Sequence, residues 1–266
     1  MDNTLQIISK SEALEALNRS EVDIQIATAK QYPRVVADCV NQIVALATID
    51  EQTAEECFYS LRRNEGKDTT VIEGPSVRLA EIIATSWGNL RVQSQIIGND
   101  GKFLTARGIC HDLQTNVAVS SEVQRRIRTK EGKLYSDDMQ MVTGNAAAAI
   151  AFRNAVFKVV PKAVISKALD AIKEKAKGNA EDLEVNRQKM LSYYAKLGVT
   201  KEMILFYLGV ESVDDINGDG MNELRGVKNS IKEGMTTVKE AFIDPYQKNQ
   251  ATQEATKHAT GAHPGL

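Results

Sequence analysis

The hydrophobic period of this chain changes twice, and that restricts the folds open to it. From Val35 to Trp87 apolar residues recur mostly three or four positions apart. Between Leu90 and Ile127 they alternate with polar ones, and from Asn145 onward the helical spacing returns. A block of long strands set between helical stretches, rather than strands and helices in strict alternation, predicts an α+β fold. The expected architecture is an antiparallel β-meander packed with helices, followed by a small C-terminal helical bundle.

The first periodic helix begins near Val35, where Val35, Val36, Cys39, Val40, Ile43, Leu46 and Ala47 share a face. Asp50 reads as the N-cap of a helix over EQTAEECFYSLRR, with acids in its first turn and Arg62–Arg63 at its end. TTVIE (69–73) reads as a short strand. It leads into GPSVRLAEIIATSWGN, where Pro75 suits a helix start and Gly88 a helix stop. Leu90, Val92 and Ile96 then alternate with Arg91, Gln93 and Gln95, and Asn99-Asp-Gly101 is a hairpin signal. KFLTARGICHDL and NVAVSSEVQRRI complete a three-stranded meander. Asn145–Val160 and Lys162–Lys177 read as two helices divided by Pro161.

These signals predict a flexible arm over 1–32, a core over 33–177, a linker over 178–182, a helical domain over 183–243 and a disordered tail over 244–266. Turns at Gly198, Gly209 and Asn217–Gly220 divide the helical domain, and no internal repeat is visible.

Composition excludes several classes. Three widely spaced cysteines, Cys39, Cys57 and Cys110, without a CxxC argue for a reducing compartment rather than a disulfide scaffold. There is no apolar leader, and no apolar run approaches about 18 residues, so a cytoplasmic protein with no membrane contact is expected. No phosphate-binding G-x-x-x-x-G-K-[ST] occurs, which argues against an ATP-driven motor. Asp215-Ile-Asn-Gly-Asp-Gly220 starts like a calcium loop, but Gly226 stands where its bidentate Glu is required. Lone His111 on a strand reads as structural, and no metal or cofactor is expected. Glu131-Gly-Lys133 resembles a nuclease E-x-K, although a turn explains it as well.

A near-neutral total conceals a charge asymmetry. The chain carries a net charge of −2, yet residues 121–177 hold twelve Lys/Arg against six Asp/Glu. A basic stripe on an otherwise acidic protein is the electrostatic footprint of a polyphosphate partner. Aromatic residues make up only 5% of the chain, so a broad platform of stacking rings is not expected. On the helix from Asn145, the residues Ala146, Ile150, Arg153, Phe157 and Val160 form one stripe. Arg153 therefore projects near the apolar face, where a charge is costly unless it is paired or reaches an anion. A buried ion pair and a grip on phosphate both satisfy that demand. The Ala146–Ala149 run strips bulk from the helix and allows close packing on a sheet. The DNA-contact candidates are Arg125, Arg126, Arg128, Lys130, Lys133, Asn145, Arg153 and Lys158.

The order of these elements, with VIEGPSVRLAEIIATSWGNLRV before the meander and AIAFRNAVFKVV in the long helix, resembles the RecT/Redβ single-strand annealing proteins of phages. The resemblance covers roughly residues 35–235, in pattern more than in identity. It implies an ATP-independent protein that binds single-stranded DNA and anneals it into duplex, working as a homo-oligomeric ring or helical filament in a bacterial host's cytoplasm. In that family an Arg of the long helix binds the DNA backbone, and the match passes this role to Arg153. One departure is the start of the helix, often more basic in the family and here TGNAAAA; the basic load falls instead on Arg125, Arg126, Arg128 and Lys130. LGVTKEMILFYLGVESVDDINGDGMNELRGVKNSIKEG resembles the small helical domains attached to phage annealing proteins. That likeness implies docking of a host single-strand-binding protein's acidic tail or a partner exonuclease, with Arg187, Lys189, Lys196, Arg225, Lys228 and Lys232 available as a charged rim; a structural lid on the main domain is the alternative role for the bundle. The rival readings are a metal-dependent nuclease using Glu131 with acids such as Asp112, and a non-catalytic hub that binds an acidic protein.

Overall fold

The computed structural model of the chain describes residues 2–65, 68–129, 131–178 and 182–260. It is α+β, as the period changes require. Two compact units divide the chain, and neither is continuous in sequence. A sheet unit combines residues up to Leu46 with Ala80–Ile165, and a helical unit combines Ala47–Leu79 with the chain from Ser166 onward. This differs from the division in chain order expected above, because residues 47–79 belong with the C-terminal helices.

The sheet unit is built on an antiparallel meander of β3 (Leu90–Asn99), β4 (Phe103–Asp112) and β5 (Val117–Arg126), in that order. Burial alternates without a break along β4, so Leu104, Ala106, Gly108, Cys110 and Asp112 face inward. In register across from them stand Arg125, Val123, Ser121, Val119 and Val117 of β5. A bulge between Ile96 and Gly98 shifts the register of β3.

Helix α5 (Asp137–Val159) lies over that inner face. It starts eight residues before the expected Asn145, because the side chain of Ser136 caps the N–H of Met139 and Asp137 and Asp138 complement the helix dipole. It ends before Pro161, which forces Val160 into an extended backbone. The alanine run has the expected effect: Ala147 and Ala151 are fully buried against Ala106. Contact is closest at Gly108, where an added Cβ would sit 2.1 Å from the Ala151 carbonyl oxygen. Gly108→Ala should therefore push the helix off the sheet and destabilise the unit by about 1–3 kcal/mol, the usual cost of overpacking. The midpoint of urea unfolding is the measurement, and an unchanged midpoint would refute the close approach.

The rest of this unit comprises α1 (Asp2–Gln31), most of α2 (Val36–Ala47) and most of α4 (Val77–Ser86). Residues 2–31 are helical where a flexible arm was expected. Leu, Ala, Glu, Lys and Gln recur there, and their propensity supports a helix without a broad apolar face. Ala29 is buried, and the Arg91 guanidinium donates to the Gln25 side chain at 3.0 Å.

In the helical unit, α3 (Glu51–Glu56) has the expected Asp50 cap, with the carboxylate accepting from the N–H of Thr53. The helix does not continue to Arg63. Phe58–Glu65 is strand β1, paired antiparallel with β2 (Asp68–Pro75), so cross-strand pairing overrides the helical reading of FYSLRR. β1 also packs on α9 (Gly218–Lys232). There a Cβ on Gly226 would lie 2.6 Å from that of Ser60, and Ser230 donates to the Ser60 carbonyl. With α7 (Leu183–Lys196) and α8 (Lys201–Leu208), α9 encloses a core of Tyr194, Ile204, Met221, Leu224 and Phe242. The Tyr194 hydroxyl donates to the Leu224 carbonyl at 2.7 Å. The helical domain closes on a π-helical turn (Lys239–Ile243), and the expected disordered tail is instead helical over α10 (Asp244–Thr260), which is rich in the helix formers Gln, Ala and Lys. Of the linker 178–182, residues 179–181 lie outside the described residues, as do 261–266 of the tail.

Candidate nucleic-acid interface

Strand parity decides which basic residues of β5 can meet α5. Arg125 stands opposite Leu104 on the inner face and is half-buried. Arg153 projects from α5 and is 7% exposed. Burial pushes the Arg125 guanidinium below its usual range, and the positive charge of Arg153 pushes it further in the same direction. Arg153 itself donates through Nε and Nη2 to the Asn154 side-chain oxygen at 3.3 and 3.2 Å. Arg125 and Arg153 thus both lie on the α5 side of the sheet, and the charge of one acts on the other.

The other candidates divide by surroundings. Arg126 is exposed on the outer face, opposite Phe103. Arg128 braces the loops beside it, donating to the carbonyls of Gly101 at 2.6 Å and Gly132 at 2.8 Å. Lys133 is exposed and its carbonyl accepts from the N–H of Thr129, while Asn145 and Lys158 are exposed on α5. Lys130 lies outside the described residues. Arg125 on the inner face of β5 and Arg153 on α5 are the two candidates withdrawn from solvent, whereas Arg126, Lys133, Asn145 and Lys158 are exposed.

An ion pair unseen in the sequence fixes the far end of the same sheet. Arg34 donates through Nη1 and Nη2 to the two oxygens of Asp112, at 2.8 and 2.5 Å, with each side chain only 7% exposed. The guanidinium also lies 5.1 Å from the centre of the Trp87 ring. For Asp112, burial opposes ionisation but is outweighed by Arg34 and the N–H groups of Thr115 and Gln114, so the carboxyl stays below its usual range. The acid that a nuclease reading would recruit is therefore committed to Arg34. Cys110 beside it is pushed up to about 11 by burial and by Asp112, so its thiol stays protonated near neutral pH. His111 meets the Asn116 side chain at 3.0 Å, a structural contact.

In the helical unit the proposed charged rim needs correcting. Arg225 is 2% exposed and bonded to Glu55 at 2.6 Å and Glu51 at 3.3 Å, because a guanidinium buried between α3 and α9 requires carboxylates there. Arg187 is held by the carbonyls of Ile216 and Asp214. Lys189, Lys196 and Lys232 remain exposed, and Lys228 lies 5.2 Å from the Tyr193 ring centre.

Comparisons with protein-family models, with curated proteins and with solved structures return no match. Among the described residues, no helix is long and apolar enough to cross a membrane.

Proposed function

We propose that this chain is an ATP-independent, single-stranded DNA-binding and annealing protein of the RecT/Redβ type, acting as an oligomer in phage-type recombination. The observation that carries the reading is a pair of arginines withdrawn from solvent on the α5 side of the meander, Arg125 on the inner face of β5 and Arg153 on α5. Two guanidiniums in a partly desolvated setting form a site for a phosphate, whose charge turns their mutual repulsion into attraction to a shared partner. Exposed Lys133 and Lys158 add to the positive charge of the unit. Such a grip is indifferent to sequence; pairing of the bases then supplies specificity and driving force, and no nucleotide need be hydrolysed. For the helical unit, exposed Lys189, Lys196 and Lys232, with Lys228 beside the Tyr193 ring, support docking of an acidic protein segment, such as a single-strand-binding protein's tail or a partner exonuclease.

The test is binding and annealing of labelled oligonucleotides of unrelated sequence without ATP. Affinity should be nearly equal across sequences and should fall by orders of magnitude between about 50 and about 200 mM salt, as release of several counterions requires. A flat salt response, or annealing that needs ATP, would refute the reading.

A further inference from the structure

The turn joining β3 to β4 holds the backbone of Lys102 and Phe103 through Asp100. The Asp100 carboxylate accepts from the N–H groups of Lys102 at 2.8 Å and Phe103 at 2.6 Å, and the Asp100 N–H donates to the Phe103 carbonyl. Since Leu104 faces α5, Phe103 faces the opposite side of the sheet, partly exposed. Arg126 stands directly across from it on β5 and is exposed. The ammonium of Lys102 lies 5.4 Å from the centre of the Phe103 ring. Next along the same face, the Gln124 amide donates to the Thr105 hydroxyl at 3.4 Å. The acid of that face, Glu122, is met by Arg107 at 2.8 Å. What remains at this end is an aromatic ring with one cation 5.4 Å from its centre and a second across the strand.

That combination fits one class of ligand better than others. A nucleotide carries a flat π-face between two phosphates, so ring and cations can be engaged together. An acidic peptide would use the cations and leave the ring without a flat partner. We infer that Phe103 is a base-stacking residue for single-stranded nucleic acid, with Lys102 and Arg126 gripping the phosphates on either side. The inference rests on the function proposed above and goes beyond it: a backbone grip at Arg125 and Arg153 needs no base contact, and this site lies on the other face of the sheet.

The experiment uses the full chain with Phe103→Trp, titrated with thymidine homopolymer while anisotropy of the labelled strand reports binding. Trp87, the single natural tryptophan, is 4% exposed and gives a constant background. The added emission should be quenched in step with anisotropy. Phe103→Leu should weaken binding roughly tenfold or more, Phe103→Tyr should restore it, and an abasic strand should erase the difference between Phe103→Leu and the wild type. Binding without quenching, or wild-type affinity in Phe103→Leu, overturns the inference while leaving the annealing reading intact. An equal quench by polyglutamate overturns it in favour of a protein partner. Failure of the wild type to bind any strand at low salt overturns both.

Discussion

Replacing Asp112 with alanine should destabilise the sheet unit by about 3–5 kcal/mol, the cost of leaving a buried charge without its partner. Arg34 would keep its guanidinium in a setting 7% exposed, against the Trp87 ring, with both of its carboxylate bonds gone. The same pair holds the loop after β4, because Asp112 also accepts from the N–H of Gln114 and Gln114 in turn accepts from the N–H of Arg34. Chemical unfolding followed by circular dichroism measures the loss. A double variant, Arg34→Met with Asp112→Leu, should recover much of it, since apolar groups of similar volume need no counter-charge. If the double variant is as unstable as the single one, the loss comes from the loop and not from the orphaned charge.

The pH dependence follows from the direction of the Asp112 shift. Its carboxyl is held below the usual value in the folded chain, so its stabilisation is fully present above the unfolded value, about 3.9. It disappears as pH falls through the folded value. The gap between wild type and Asp112→Ala should therefore be constant above about pH 5 and close in stronger acid. A gap that widens on acidification would contradict the assignment.

Much of this architecture was legible because local signals agreed with tertiary demands. Gly88 ends α4 as expected, at φ +74° where a side chain would be strained, whereas Pro75, expected in the first helical turn, closes strand β2 and the Ser76 hydroxyl accepts from the N–H of Leu79 at the helix start. The meander announced itself through alternation and the Asn99–Gly101 turn, and the alanine run announced close docking of α5. The helices over 2–31 and 244–260 and the Ser136 cap rest on local propensity and capping, whereas strand β1 and the buried ion pairs depend on partners remote in sequence. FYSLRR carries residues suited to either state, and β2 and α9 decide for the strand. Arg34 and Asp112 are separated by 78 positions, and Arg225 and Glu55 by 170, so neither buried pair leaves a local trace. Arg225 therefore looked like one more surface cation. For the site, Arg153 was visible because a charge on an apolar stripe is anomalous, and Arg125 stood out within a basic run. That the two interact, and that Phe103 faces Arg126, depends on strand register, which periodicity alone does not give.

Arg153→Gln is expected to remove annealing while leaving the fold intact, and it carries the largest functional effect of any single change. Each charge-assisted contact to phosphate contributes about 1.5–3 kcal/mol, and an oligomer that repeats the contact along a strand multiplies the loss. The glutamine keeps a polar group that can bond the Asn154 side chain, so the substitution removes charge more than packing. It also relieves the unfavourable action of Arg153 on Arg125, so the melting temperature should hold or rise slightly. Arg125→Gln should behave in the same way, and each variant should lower the salt slope of DNA binding by about one. The double variant should lose less than the sum of the two, because both cations serve one phosphate. If either single variant unfolds instead, the guanidinium is a structural partner of the core. If both fold and still anneal with the wild-type salt slope, the phosphate lies elsewhere and the proposed grip is wrong.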